Sequence, residues 1–95
     1  MVTSIILFKL KEKSNGNCAL LEEKLLGMRG KIDQLKSITT KTHMNIGSAT
    51  FDLMMTAQYN SKDDFAKYLV HPIHVDVKDF VLEHCEEMAS FQYED

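Results

Sequence analysis

The chain has few of the features that mark the larger functional classes of proteins. It contains no tryptophan, one proline, four glycines and two cysteines in 95 residues. No apolar run approaches the roughly 20 residues that cross a bilayer, and the first residues lack the charged region and cleavage site of a signal peptide. We therefore expect no membrane contact and, by default, a cytoplasmic location.

The scarcity of cysteine also limits the redox and metal chemistry that can be expected. Cys18 and Cys85 have no export signal to accompany them, which favours reduced thiols over a disulfide. Neither cysteine begins a zinc motif, and the pair His71 and His74 encloses Pro72 instead of forming a regular helical pair. The sequence predicts neither a metal site nor a cofactor.

An excess of basic charge is missing as well. The net charge is −3, and the eleven Lys and Arg residues are scattered along the chain. Nucleic-acid binding requires clustered basic side chains that neutralise phosphates, so nucleic acid is not an expected partner. The hydrophobic content of 44% is ordinary for a globular protein, and residues 1–95 are expected to form a single domain.

Hydrophobic periodicity predicts the order of the secondary structure. Apolar residues alternate in four segments, which is typical of strands, and recur at spacings of three and four between Cys18 and Leu35, which indicates a helix. A second helix is predicted from Lys62 to Val70 with Ser61 as its N-cap, and Pro72 begins a further helix that ends near His84. The predicted strands are residues 2–12, 37–47, 51–59 and 86–95, the middle two joined by a short turn containing Gly47.

This order predicts an α+β fold of the ferredoxin-like βαββαβ type with a broken second helix and a four-stranded antiparallel sheet. Helices cover only one face of such a sheet. The alternation leaves Ile5, Leu7, Met54 and Phe91 on the other face, and an open apolar face of this size favours a partner surface. We expect a homodimer in which two sheets pack together as a dimeric α/β barrel.

The segment "YLVHPIH", Tyr68 to His74, is the best candidate for a chemical site. Because Pro72 turns the chain, Tyr68 and His74 belong to different helices and can face the same interior. An imidazole is a suitable general base near neutral pH, and a protonated phenol can donate to a carbonyl or enolate oxygen. The alternative is purely structural: both rings pack at the corner, and His71 hydrogen-bonds the turn.

The segments "IILFKLKE" and "FDLMMTAQYNSKDDFAKYLVHPIHVDVKDFV" and the final "FQY" resemble the stress-responsive A/B barrel (Dabb) family. The most specific part is the tyrosine, two residues, "HP", one residue and a histidine. The resemblance implies a ferredoxin-like fold, a homodimer closed through its sheets and a cavity between sheet and helices. Most members of the family have no established activity, but a plant member is a polyketide cyclase that works without a cofactor.

In that cyclase the motif tyrosine and its last histidine are the functional pair, which implies the same role for Tyr68 and His74. The cyclase also has a pocket histidine at the start of its first strand, where this chain has Ser4. We expect a ligand pocket formed by Ser4, Ile6, Phe8, Met55, His71 and Met88.

Two functional hypotheses follow from these observations. The first is an apolar cavity that binds a small apolar or aromatic ligand without chemistry. The second is a cofactor-independent lyase or cyclase, in which His74 removes a proton next to a carbonyl and Tyr68 stabilises the oxyanion. A small monooxygenase of the wider dimeric barrel group is a third, weaker alternative.

Overall fold

The computed structural model describes residues 1–44 and 46–95. Four strands and three helices follow one another in the predicted order, so the prediction of a βαββαβ chain with a broken second helix is confirmed. The elements are β1 (Val2–Leu10), α1 (Asn15–Leu26), β2 (Ser37–Thr42), β3 (Leu53–Tyr59), α2 (Lys62–Leu69), α3 (Pro72–His84) and β4 (Cys85–Glu94).

The four strands form one antiparallel sheet in the order β2-β3-β1-β4. The central strand β1 pairs with β3 over Val2 to Phe8 and with β4 along its full length, with a register shift between Lys9 and Leu10. This topology is the ferredoxin-like α+β fold. No helix among the described residues is long and apolar enough to cross a membrane.

Helix α1 is shorter than the sequence predicted. It ends at Leu26 instead of continuing to Leu35, because the following residues form tight i to i+3 turns and Gly30 has a φ of 77°, a left-handed conformation that a right-handed helix cannot contain. Met28, Ile32 and Leu35 nevertheless stay buried. The spacing therefore identified core residues correctly but assigned too many of them to the helix.

The connection between β2 and β3 is longer than the predicted hairpin turn. Strand β2 ends at Thr42 and β3 begins at Leu53, whereas the sequence predicted a strand continuing to Gly47 and across residue 45, which lies outside the described residues. Met44 and Ile46 are largely exposed, so their alternation does not reflect burial on a sheet face. Asp52 closes the connection, since its carboxylate accepts the Leu10 N–H at 3.0 Å.

The corner between α2 and α3 follows the predicted pattern. Ser61 caps α2 by accepting the Asp64 N–H at 3.1 Å, and Pro72 occupies the first turn of α3. His71 is extended, as expected for a residue before proline, and its Nδ1 accepts the Ile73 N–H at 3.2 Å. The bend places the end of α2 beside the beginning of α3.

The core lies between the sheet and the helices. Alternate residues of β1 and β3 face this layer, among them Phe8, Met55 and Tyr59, and Leu21 and Leu25 pack on them from α1. None of the three helices of the described chain covers the opposite face of the sheet. That face carries the apolar residues Ile5, Leu7, Met54, Phe91 and Tyr93.

Candidate functional site

A cavity of about 370 Å³ lies between the sheet and the corner formed by α2 and α3. Side chains from every helix, from three strands and from the turn after α1 line it. Its walls are mainly apolar, with hydroxyl, amide and imidazole groups at separate points. The lining residues are Ser4, Ile6, Phe8, Leu25, Met28, Met55, Tyr59, Phe65, Tyr68, Leu69, His74, Val77, Lys78, Val81, Met88, Ser90 and Gln92.

The structure brings most of the predicted site residues to this one cavity. Tyr68 and His74 line it from α2 and α3. The strand residues predicted for the pocket also reach it, namely Ser4, Ile6, Phe8, Met55 and Met88.

His71 is the exception, because it does not line the cavity. Its ring nitrogen is held by the Ile73 N–H as the N-cap of α3, which directs the imidazole to the helix terminus. His71 therefore makes the hydrogen bond within the turn that the structural alternative predicted.

Tyr68 is buried and lines the cavity. The hydroxyl donates to the thioether sulfur of Met28 at an O–S distance of 3.7 Å, and thioethers are weak acceptors. Burial raises the pKa of Tyr68, while the neighbouring Tyr59 hydroxyl lowers it. The net direction keeps the phenol protonated and able to donate to an acceptor stronger than sulfur.

His74 packs against Tyr68 with ring centroids 4.3 Å apart. Its Nδ1 lies 3.1 Å from the Leu69 carbonyl oxygen, which can only accept, so Nδ1 carries the proton in the neutral ring and Nε2 carries the free electron pair. Burial lowers the pKa of His74, the Leu69 carbonyl raises it, and Lys78 and His71 lower it further. A neutral imidazole with a free Nε2 is the form that accepts a proton.

Tyr59 is a cavity residue that the sequence reasoning did not select. It is fully buried, and its ring lies 4.8 Å from that of Tyr68 and 4.9 Å from that of Phe65, centroid to centroid. The Tyr59 hydroxyl interacts with Tyr68, but none of the described residues gives it a hydrogen bond of regular geometry. Such a buried group costs about 1–3 kcal/mol, which a phenylalanine in the same space would not. The same alternation that selected Met55 runs on to Tyr59 and was a usable signal.

A second polar pair, formed by Ser4 and Gln92, lies on the sheet wall of the cavity. The Gln92 side-chain amide donates to the Ser4 hydroxyl oxygen at 3.0 Å across β4 and β1. Ser4 is almost completely buried, whereas Gln92 and Ser90 lie on the exposed edge strand. The sequence did not indicate this pair, because it depends on the register between the first and last strands.

Metal and thiol chemistry have little support in the described part of the chain. Residues 1–44 and 46–95 contain no group of three or more His, Cys, Asp or Glu side chains placed to bind one metal ion. Cys18 and Cys85 are free thiols outside the cavity lining, and burial raises the pKa of both. A raised pKa disfavours the nucleophilic thiolate.

Two solved structures share this fold over nearly the whole chain. A dimeric protein of unknown function with a ferredoxin-like fold from Bacteroides fragilis has a TM-score of 0.81 at 26% identity, over 99% of this chain and 95% of the other. The hydroxynitrile lyase of Passiflora edulis has a TM-score of 0.82 at 15% identity, over 97% and 90% of the two chains. The second similarity shows the fold alone.

Sequence comparison identifies the family. A stress-response A/B barrel domain-containing protein of Arabidopsis thaliana is 32% identical over 95 residues, and the match covers 98% of this chain and 36% of that relative. The chain thus spans about a third of the length of the Arabidopsis protein. The profile of the stress responsive A/B barrel domain matches residues 2–95 and confirms the resemblance found in the sequence. The chain belongs to the stress-responsive A/B barrel (Dabb) family.

Proposed function

We propose that the cavity binds a small, mainly apolar organic ligand that carries one oxygen acceptor. The observation that carries this proposal is the 370 Å³ cavity, in which the Tyr68 hydroxyl and the His74 imidazole stand together among apolar walls. Cavities that bind small molecules are mostly apolar and contain a few polar groups that orient the ligand. Tyr68 suits this orienting role because a ligand oxygen is a better acceptor than the sulfur of Met28.

Self-association is part of the proposal. The open sheet face carries Ile5, Leu7, Met54 and Phe91, and Phe91 is 67% exposed. An exposed apolar patch of this kind favours a protein partner, and a second copy can cover it by two-fold symmetry. The dimeric solved structure from Bacteroides fragilis supports this assembly.

Binding of 4-nitrophenol, a small aromatic ring with a phenolic oxygen as its strongest acceptor when ionised, tests the proposal. We expect Tyr68→Phe to weaken its binding about tenfold, because one hydrogen bond to the ligand oxygen is lost. Titration followed by the absorption of the ligand measures the effect. Tyr93→Phe is the matched control, since it removes a phenol oxygen from the opposite sheet face. Absence of binding to the unmodified protein would contradict the proposal.

A cofactor-independent lyase or cyclase activity is the second candidate. One observation favours it: the Leu69 carbonyl fixes the His74 tautomer with Nε2 unprotonated, in a ring that packs against the Tyr68 ring. Nε2 would take a proton from the carbon next to a carbonyl. The electron pair of the broken C–H bond would move to the carbonyl oxygen, to which Tyr68 would donate. The fold shared with the hydroxynitrile lyase is compatible with this chemistry.

Proton exchange tests this candidate without knowledge of the substrate. Acetophenone in heavy water should lose its methyl protons faster with the unmodified protein than with His74→Gln, as measured by NMR. His84→Gln is the matched control, because His84 also bonds a helix carbonyl through Nδ1, at 2.9 Å, but does not line the cavity. Equal exchange rates with and without protein would leave ligand binding alone as the function.

A further inference from the structure

Four of the five aromatic rings that line the cavity form one contiguous cluster, which we call the aromatic cluster: Tyr59, Phe65, Tyr68 and His74. Its inner end is Tyr59, at the end of β3, and its outer end is the half-buried His74 on α3. Tyr68 lies between them and contacts both rings. Tyr59 is therefore placed to influence Tyr68 directly.

The hydroxyl of Tyr59 is the unusual feature of this cluster. It is fully buried, lines the cavity wall and lacks a regular hydrogen-bond partner among the described residues. Its ring packs against that of Tyr68 with centroids 4.8 Å apart, and it lowers the pKa of Tyr68, which is the direction expected of a donor facing the Tyr68 oxygen. Tyr68 in turn gives its own proton to a weak sulfur acceptor. A ligand oxygen could replace this sulfur as the acceptor of the Tyr68 hydroxyl, with the Tyr59 hydroxyl behind it as a second donor.

We propose that Tyr59 is a positioning residue, whose hydroxyl turns to the Tyr68 oxygen when Tyr68 donates to a ligand and thereby selects ligands that offer Tyr68 a negatively charged oxygen, such as a phenolate or enolate. This inference rests on the proposed binding function. When Tyr68 donates to an anionic oxygen, negative charge accumulates on its own oxygen. A second donor behind it stabilises that charge, because consecutive hydrogen bonds polarise one another. The effect grows with the negative charge on the ligand oxygen. It is absent for a ligand that has no phenolate or enolate oxygen.

Two small probes isolate this effect. The first is 4-nitrophenol, whose absorption distinguishes the bound phenol from the bound phenolate, and the second is nitrobenzene, which has the same ring without the hydroxyl. We expect Tyr59→Phe to weaken binding of 4-nitrophenol about threefold to tenfold and to lower its bound phenolate fraction, while nitrobenzene binding stays within about twofold. The melting temperature should not fall, because phenylalanine fills the same space without the buried hydroxyl.

The double variant shows whether Tyr59 acts through Tyr68. In a Tyr68→Phe background, Tyr59→Phe should have no further effect on 4-nitrophenol binding, since the residue it supports is gone. An equal loss in both backgrounds would overturn the proposal, as would an equal loss of both probes. If the unmodified protein binds both probes and Tyr59→Phe changes neither, the inference fails and the binding function stands. If the unmodified protein binds neither probe, the binding function itself fails.

Discussion

The two faces of the sheet use the same strands for different purposes. On β1, Ser4, Ile6 and Phe8 face the helices and line the cavity, while the residues between them, Ile5 and Leu7, face away from the three described helices. The inner face combines apolar walls with polar groups that have specific partners. The outer face carries Ile5, Leu7 and Phe91 among polar side chains such as Thr3 and Thr56, and none of the described helices covers it. Period-two alternation thus separates the wall of the cavity from an uncovered, partly apolar surface within one strand.

The difference also shows in how polar groups are placed. Inside, the hydroxyl of Ser4 and the Nδ1 of His74 each have a hydrogen-bond partner, and the hydroxyl of Tyr59 is the exception. Outside, Phe91 and Tyr93 are in contact at 6.3 Å between ring centroids and remain substantially exposed. The inner face is therefore specified by hydrogen bonds and shape, and the outer face by apolar area.

The largest effects are expected when a phenylalanine is replaced by alanine on each face of the sheet. Phe8→Ala removes an inner side chain that is 2% exposed and should lower the free energy of unfolding by about 3–5 kcal/mol. Phe91→Ala removes an outer side chain and should leave the protomer folded while raising the dimer dissociation constant about tenfold or more. Chemical denaturation and sedimentation velocity measure the two effects.

Measuring both variants over a range of protein concentrations separates the two effects. Loss of stability in Phe8→Ala should be the same at every protein concentration, since the contact lies within one chain. The loss in Phe91→Ala should shrink toward zero as the protein is diluted, because association stabilises the folded state only at concentrations at which the chains associate. Identical sedimentation of Phe91→Ala and the unmodified protein would contradict assembly through the open face.

The sequence was most informative where local chemistry and burial agree. Ser61 and Pro72 mark helix starts by known backbone preferences, and alternation placed Ile6, Phe8 and Met55 on the correct face. It was least informative after Leu26, where buried residues keep a helical spacing although the chain forms turns. Periodicity reports which side chains are buried, and a turn can bury the same side chains as a helix.

The site shows a similar division. The motif placed Tyr68 and His74 at one corner, since a proline between two helices brings their facing ends together. It did not indicate the Ser4–Gln92 pair or the contact between Tyr59 and Tyr68. These contacts join residues that are distant in sequence, and only strand register and helix packing bring them together. His71 was expected in the pocket because of its position in the motif, but capping of α3 holds it outside.

The smallest expected effect is a pH dependence of stability caused by His74 on the inner side of the sheet. The pKa of His74 lies below its ordinary value of 6.5, first because burial disfavours the charged ring. The folded state therefore binds a proton less readily than the unfolded state. The resulting stabilisation is complete above about pH 6.5 and is lost as the pH falls through the lower, folded-state pKa. We expect the free energy of unfolding to fall less between neutral and mildly acidic pH in His74→Gln than in the unmodified protein.

Chemical denaturation at a series of pH values measures this difference, and the variant His84→Gln makes it specific. Both variants remove an imidazole whose Nδ1 bonds a helix carbonyl, but only His74 lines the cavity. If the cavity causes the shift, the pH dependence must change in His74→Gln by more than in His84→Gln. An equal change in both variants would mean that losing any imidazole bonded to a helix carbonyl changes the pH dependence of stability. Burial in the cavity would then not explain a neutral His74, which the general-base role requires.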